Sequence, residues 1–298
     1  MMLSGFTFIR NGVRPDYPVV ESISSILPIV DEFIVNVGPD EDGTLDLIRS
    51  INDPKIKIIQ SQWNPNMNRG GFIFTQQTNI ALFNCMGEWA FCLQADEVVH
   101  EEDLPVIEKC LAKYVDDDRV EGLALKQLNF YGDYKTIMNV YPYRNRRRCR
   151  IVKPHRFVLS RGDSAGFTVY PKFKEKGYRI RVIETGARLF HYWNVKSKKA
   201  LEAKYKAVQS YWGDKSFGGR EFDYYQYFPR QIVTEYRGTH PGVMSERIRS
   251  HPVSLDLSTS SWRSKLTWRE RRRLWKTMFV TKITDRFSGR GSYRLLKK

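Results

Sequence analysis

The stretch Trp89-Ala90-Phe91-Cys92-Leu93-Gln94-Ala95-Asp96-Glu97-Val98 runs from a core element straight into a cluster of acids. Trp89 to Leu93 is a continuous apolar run, the signature of a strand buried on both faces in a parallel sheet. It breaks off at Gln94, Asp96 and Glu97, and a second acidic group, Glu101 to Asp103, opens a following helix. Acids at the carboxyl end of a buried strand lie where open α/β sheets bind ligands. Neighbouring strand residues point to opposite faces, so only one of Asp96 and Glu97 faces a ligand directly, and Asp96 is the candidate. The same acids also suit the start of a helix, whose dipole favours negative charge.

Outward from this stretch, strands and helices alternate. Strands are expected at Phe6 to Ile9, Phe33 to Val37 and Ile56 to Ile59, and helices over Tyr17 to Ile29, Thr44 to Ile51 and Phe72 to Phe83. Pro18 suits a first helical turn, and Val19, Ile23, Ile26 and Leu27 keep helical spacing. This rhythm implies right-handed crossovers and a Rossmann-like, mostly parallel central sheet flanked by helices, with strand-end loops forming one crevice. On the carboxyl side, Leu104 to Tyr114 reads as a helix and Gly122 to Asn129 as a strand that extends the sheet. Strands follow at Arg179 to Ile183 and Ala187 to Tyr192, with Arg161-Gly162-Asp163-Ser164 as a loop between earlier ones. Helices are expected over Lys196 to Trp212 and Phe222 to Tyr236.

The chain has 298 residues, of which 41% are hydrophobic and 13% aromatic, a globular composition with ample core. No apolar run approaches the ~20 residues of a membrane span. Met1 to Arg10 lack the basic region and long apolar segment of a secretory leader. Cys85, Cys92, Cys110 and Cys149 show neither paired metal-ligand spacing nor disulfide density, which predicts a reduced, cytoplasmic protein. Charge is uneven: residues 1–100 carry six Lys/Arg against twelve Asp/Glu, and residues 241–298 carry fifteen against four. The net +16 therefore belongs to the latter two-thirds, where a basic surface either meets phosphate or anionic lipid or is simply solvated.

Phe6-Thr7-Phe8-Ile9-Arg10-Asn11, Asp42-Gly43-Thr44 and Leu93-Gln94-Ala95-Asp96-Glu97 together resemble the family 2 glycosyltransferases of GT-A fold. The resemblance covers roughly residues 3–115 and continues more loosely through His191-Tyr192-Trp193 and Gly238-Thr239-His240-Pro241, which look like landmarks of a bacterial subgroup. It implies a GT-A domain whose residues 1–125 bind a nucleotide-sugar and whose residues 126–240 bind the acceptor, followed by a basic, helical extension over 241–298. It implies an inverting transfer from a nucleoside-diphosphate sugar, with a UDP-sugar favoured, to an acceptor hydroxyl, assisted by Mn2+ or Mg2+. The acid pair stands where the family carries its Asp-X-Asp metal motif. Gln94 replaces the first acid of that motif, so the cation would rest on Asp96, diphosphate oxygens, water and a distant residue. His191 is the candidate for that last position, because some members complete the site there; a histidine beside aromatics is otherwise a packed one. The acceptor of such bacterial enzymes is usually a surface or lipid-linked glycan. The basic charge admits a modified nucleic acid as acceptor, or a non-catalytic nucleic-acid-binding protein as a different class.

The chemistry asks for the same residue types. Glycosyl transfer passes through an oxocarbenium-like state. Its diphosphate leaving group needs a divalent cation or clustered Lys/Arg, and its acceptor hydroxyl needs a base, usually a carboxylate. No Walker loop or dinucleotide fingerprint competes as a phosphate cradle. On the donor side, Phe8, Arg10 and Asn11 end the first strand, and Asp42 either reads the base or makes an ordinary turn into a helix. Trp63 either walls the base site or joins the core, and Gln77 and Asn79 either line the crevice with Gln94 or are satisfied buried amides. Asp163 is the candidate base by its position after the metal motif, with Glu97 next. The block Arg144-Asn145-Arg146-Arg147-Arg148-Cys149-Arg150 either binds an anion or forms a solvated rim. Trp262 to Lys298 has the composition of an interfacial helix or of one packed on the body or a second subunit.

Overall fold

A computed structural model describes residues 1–140, 143, 146–172, 176–212, 233–253, 268–283 and 292–297. Strands β1 (Leu3–Ile9), β2 (Glu32–Val37), β3 (Ile56–Gln60) and β4 (Trp89–Cys92) alternate with helices α1 (Val19–Ser24), α2 (Thr44–Arg49) and α3 (Phe72–Leu82). They pair in parallel in the order β3-β2-β1-β4. β5 (Glu97–Val99) leads through a 3-10 turn into α4 (Leu104–Tyr114), and β6 (Gly122–Tyr131), β7 (Thr136–Met138) and β8 (Arg147–Val152) follow. β9 (Val158–Arg161), β10 (Gly166–Val169) and β11 (Tyr178–Arg179) form a small antiparallel sheet. β12 (Arg181–Asn194) pairs in parallel with β6, and α5 (Lys198–Trp212) follows it. Beyond lie β13 (Val233–Glu235), α6 (Ser245–Ser250), α7 (Trp268–Ile283) and β14 (Arg294–Leu295).

β4 shows why the central strands read as one apolar run. Trp89, Phe91 and Leu93 enter the core on one face of the sheet, with Ile23, Phe33, Ile107 and Leu111. Ala90 and Cys92 enter the core on the other, with Phe6, Leu82 and Phe167. A strand buried on both faces has no polar side, and truncating one of its large residues, Phe91→Ala for example, costs roughly 3–5 kcal/mol.

Several elements differ from the pattern in the sequence. β8 runs antiparallel between β4 and β6, so the sheet is mostly, not wholly, parallel. α1 stops at Ser24 and gives way to turns, because Pro28 disfavours helical backbone at Leu27. The two strands expected between Arg179 and Tyr192 are one strand, β12, whose pairing slips between Glu184 and Arg188 where Gly186 takes φ +97°. Of the helix expected over Phe222 to Tyr236, residues 222–232 lie outside the described residues, and Val233–Glu235 is a strand. The carboxyl-terminal extension is not helical throughout: Arg294–Leu295 adds to β12. β6 spans residue 125, so the two expected halves of the domain share one sheet.

Candidate active site

The carboxyl ends of β1 and β4 open onto a crevice of about 330 Å³. Asp96 lies just past β4, its carbonyl accepting from Tyr192 N at 2.8 Å, so β12 fixes its backbone. Its side chain is buried in the crevice wall. Asp96 Oδ1 faces His191 Nε2 at 3.5 Å, and Oδ2 accepts from Lys204 Nζ at 3.2 Å. Burial opposes ionisation of Asp96, but Lys204 and His191 outweigh it and hold the carboxyl far below the usual range. Glu97, one residue on, turns away from the crevice. Its buried carboxylate accepts from Arg150 at 2.6 Å, Gln127 at 3.1 Å and Gln94 N at 3.1 Å, a structural role that leaves it engaged away from the crevice.

One wall of the crevice is aromatic. Trp63 meets Phe8 and Phe74 at ring separations of 6.0 Å and Tyr211 at 5.3 Å. Arg10 lies over Trp63, with its guanidinium carbon 5.8 Å from the ring centre, and donates to Tyr211 Oη at 2.8 Å. A Cβ at Gly38 would come within 2.5 Å of Trp63 Nε1, so a glycine there is what lets the indole lie flat against the backbone. Asn11 and Gln94 complete this side.

Asp163 lines the same crevice from a β9–β10 turn. α3 anchors that turn. Thr75 Oγ1 donates to Gly162 O at 2.8 Å, Thr78 Oγ1 and Ser164 Oγ are 2.7 Å apart, and Asn79 Oδ1 accepts from Ser160 N at 2.8 Å. Phe8, Arg10, Asn11, Trp63, Gln94, Asp96 and Asp163 therefore converge on one cavity, with His191 bound to Asp96 behind its wall.

Asp42, Gln77 and Asn79 do not line it. Asp42 accepts from Arg14 N at 2.7 Å and Thr44 N at 3.3 Å, and with Asp40 satisfies the first N–H groups of α2. Gln77 is a satisfied core amide that accepts from Asn36 Nδ2 at 2.9 Å. Asn79 serves the turn that carries Asp163.

Four residues at the crevice carry no mark in the sequence: Lys204, Lys196, Tyr17 and Tyr211. Lys204 sits nearly two turns into a helix that reads as merely charged, yet it is buried and also donates to Trp193 O at 2.5 Å. Burial lowers its pKa against the pull of Asp96. Lys196 lies 4.4 Å from the Tyr17 ring centre and donates to Asp16 O at 2.7 Å; burial and then Lys204 push its pKa down to about 7. Burial, followed by Asp96, raises the Tyr17 hydroxyl far above its usual value, so it stays protonated.

The residues at Asp96 suit a hard divalent cation. His191 Nδ1 is 2.9 Å from Asn129 Oδ1, and with the Asn129 amide so oriented Nδ1 must donate. In that tautomer Nε2 turns a lone pair toward Asp96 Oδ1 and the two can share a cation; with the Asn129 amide reversed, which also gives its buried Nδ2 a partner, Nε2 donates to Asp96 instead. Burial lowers the His191 pKa and so works against the charged ring. Among the described residues no third His, Cys, Asp or Glu joins the pair, so a bound cation would take its remaining ligands from phosphate oxygens and water.

No protein-family model matches the chain, and no curated protein matches it. Solved structures do. S. aureus TarS 1-349 in complex with UDP is 21% identical with a TM-score of 0.34, over 44% of this chain and 37% of that one. S. aureus TarS is 14% identical with a TM-score of 0.39, over 70% and 39%. The mannosyltransferase PcManGT from Pyrobaculum calidifontis, in complex with GDP-Man and Mn2+, is 18% identical with a TM-score of 0.33, over 43% and 35%. The matches thus span under two-fifths of each of these solved chains.

Proposed function

We propose that the crevice is the active site of a GT-A glycosyltransferase of the family 2 type, moving a sugar from a nucleoside-diphosphate donor to an acceptor hydroxyl with inversion. What carries this reading is the placement, in one cavity at the carboxyl ends of β1 and β4, of an aromatic wall, a buried carboxylate backed by a lysine and a histidine, and a second carboxylate across from them. The base of the donor stacks against Trp63 and Phe8, and Arg10 and Lys204 face its diphosphate. Mn2+ or Mg2+ held by Asp96 and His191 would neutralise charge on the leaving diphosphate. Asp163 accepts the proton of the acceptor hydroxyl as its oxygen bonds to the anomeric carbon and the carbon–diphosphate bond breaks. Residues 1–125 supply most of the donor side, joined there by His191, Lys204 and Tyr211, and Asp163 brings residues 126–240 to the acceptor side.

A thermal-shift series with UDP-, GDP-, CDP- and TDP-sugars, with and without Mn2+, tests the reading and identifies the nucleotide, because a ligand selective for the folded state raises its melting point. UDP-sugars are expected to act. No shift with any nucleotide sugar would overturn the assignment.

We further read the enzyme as cytoplasmic and peripheral at the inner face of a membrane, with a lipid-linked or surface glycan as acceptor. No helix among the described residues is long and apolar enough to cross a membrane. α7 instead exposes Trp268, Trp275 and Phe279, at 73%, 73% and 63%, an apolar stripe beside the exposed Arg272 and Lys276. That stripe favours lipid over a nucleic-acid acceptor, which the net charge alone would equally allow.

A further inference from the structure

The arginine block resolves into two faces once β8 is in place. Arg147 turns to one face of β8 and Arg148 to the other, while Arg150, skipped where the pairing with β6 slips, joins the second side through Glu97 and Gln127, and Arg146 directly precedes the strand. On the first face charge is matched, Arg147 pairing with Glu184. On the second, Arg150 takes the buried Glu97 at 2.6 Å, and no carboxylate among the described residues pairs with Arg146 or Arg148. Arg148 reaches only neutral acceptors, Ala165 O at 3.0 Å and Gln127 Oε1 at 3.4 Å. Arg146 lies over the Tyr143 ring, its guanidinium carbon 5.7 Å from the centre.

Neither arginine is a freely solvated surface cation. Both are partly buried, and burial, followed for Arg148 by repulsion from Arg146 and Arg150, draws the Arg148 pKa down to about 9; burial likewise lowers Arg146. Two unneutralised guanidinia, half withdrawn from water and beside a third, stay together at a cost unless an anion joins them.

Their position is next to the proposed chemistry. Arg148 holds Ala165, two residues beyond Asp163. A line of stacked rings, His191 to Trp193 at 6.0 Å and Trp193 to Tyr143 at 5.8 Å, runs from the Asp96 site to the ring beneath Arg146. Asp163 lines the crevice, and its charge acts on both guanidinia.

We propose that Arg146 and Arg148 form the subsite for a phosphate group on the acceptor, holding it so that the acceptor hydroxyl reaches Asp163. The assignment rests on the glycosyl-transfer reading of the crevice. A phosphate monoester carries close to the two charges that the pair presents, and the planar guanidinium fork matches its oxygens.

Calorimetric titration of inorganic phosphate into the full chain saturated with UDP tests the proposal. One phosphate site is expected, weakened roughly tenfold or more by Arg146→Gln and by Arg148→Gln, partly restored in Arg148→Lys, and unchanged by the exposed control Arg119→Gln. UDP affinity is expected to stay the same in all forms. Phosphate affinity that ignores both substitutions, or UDP affinity that falls in step with it, overturns the subsite. The nucleotide arm reports separately on the donor crevice: failure of UDP, GDP, CDP and TDP alike to bind the unaltered protein refutes glycosyl transfer, whatever phosphate does. If Arg148→Gln does not fold, Arg146→Gln, whose guanidinium among the described residues lies over the Tyr143 ring, carries the test. Competition by glycerol 3-phosphate marks a soluble acceptor and competition by dihexanoyl phosphatidic acid a lipid-borne one; failure of both to compete overturns the proposal.

Discussion

Lys204 Nζ stands 3.2 Å from Asp96 Oδ2, with each side chain only 10% exposed. The two are separated by more than a hundred residues and meet because β12 and α5 fold back over the end of β4. A buried ion pair of this kind does little for stability as a pair, but each partner depends on the other. Lys204→Met would leave Asp96 as an uncompensated buried charge and is expected to cost roughly 3–5 kcal/mol in urea unfolding. Asp96→Asn should be destabilising for the complementary reason. The double variant Asp96→Asn/Lys204→Met should be less destabilised than the two losses combined, by at least about 1 kcal/mol. Additive losses would mean that the two charges do not act on each other.

The roles proposed for Asp96 and Asp163 separate in a binding-and-turnover comparison. Asp96→Asn removes a charged oxygen beside His191 and should lower both UDP affinity in Mn2+ and turnover. Asp163→Asn should leave UDP affinity near normal and lower turnover by roughly 10²–10⁴, the usual contribution of a positioned base. Full turnover in Asp163→Asn would move the base elsewhere. Glu97 is poorly placed to replace it, since its carboxylate is committed to Arg150 and Gln127.

Local pattern carried the first hundred or so residues, with their alternating strands and helices. The apolar run from Trp89 to Leu93 is unambiguous because both faces of β4 are covered, and the acids that end it had to lie at the sheet's edge. The rest of the crevice depends on contacts between distant segments, which no local pattern records. Lys204 looks like any other charge in a lysine-rich helix, and only the fold buries it. Asp42 shows the converse: Asp-Gly-Thr carries a signal in the sequence that the structure accounts for by the first turn of α2. The arginine block was visible as composition, but its division between a neutralised and an unneutralised face required β8 to be a strand.

Lys196 gives the folded protein a pH signature. Its pKa is about 7 in the fold against an ordinary 10.5, because burial and Lys204 disfavour the ammonium. Between those values the unfolded chain binds a proton at this site and the folded chain does not, so stability rises as pH rises through the window. The difference in unfolding free energy between the unaltered protein and Lys196→Met should therefore grow from pH 7 to pH 10, by up to about 1.4 kcal/mol per unit. Comparison with the variant removes the contribution of other titrating groups. A difference that is flat or falls across this range would mean that Lys196 remains charged in the fold.

α7 is the place to test membrane contact. Trp268, Trp275 and Phe279 are spaced seven and four residues apart, which puts all three on one stripe of the helix. Met278 packs against the cluster of Tyr131, Met138 and Val140, so the helix is held to the body while that stripe faces outward. Exposed Arg272 and Lys276 lie beside the stripe, where they can meet lipid phosphates as the rings enter the headgroup boundary. Sedimentation with phosphatidylcholine–phosphatidylserine vesicles should fall roughly 100-fold in Trp268→Ala/Trp275→Ala/Phe279→Ala, as expected from the loss of three partly inserted rings. UDP binding should not change, because none of the three residues lines the crevice. Vesicle binding should also weaken with added salt, through the Arg272 and Lys276 contribution. If the triple variant sediments as the unaltered protein does, the stripe does not meet lipid. If it instead turns a dimer into a monomer on size-exclusion chromatography, the stripe is where two copies of the chain meet.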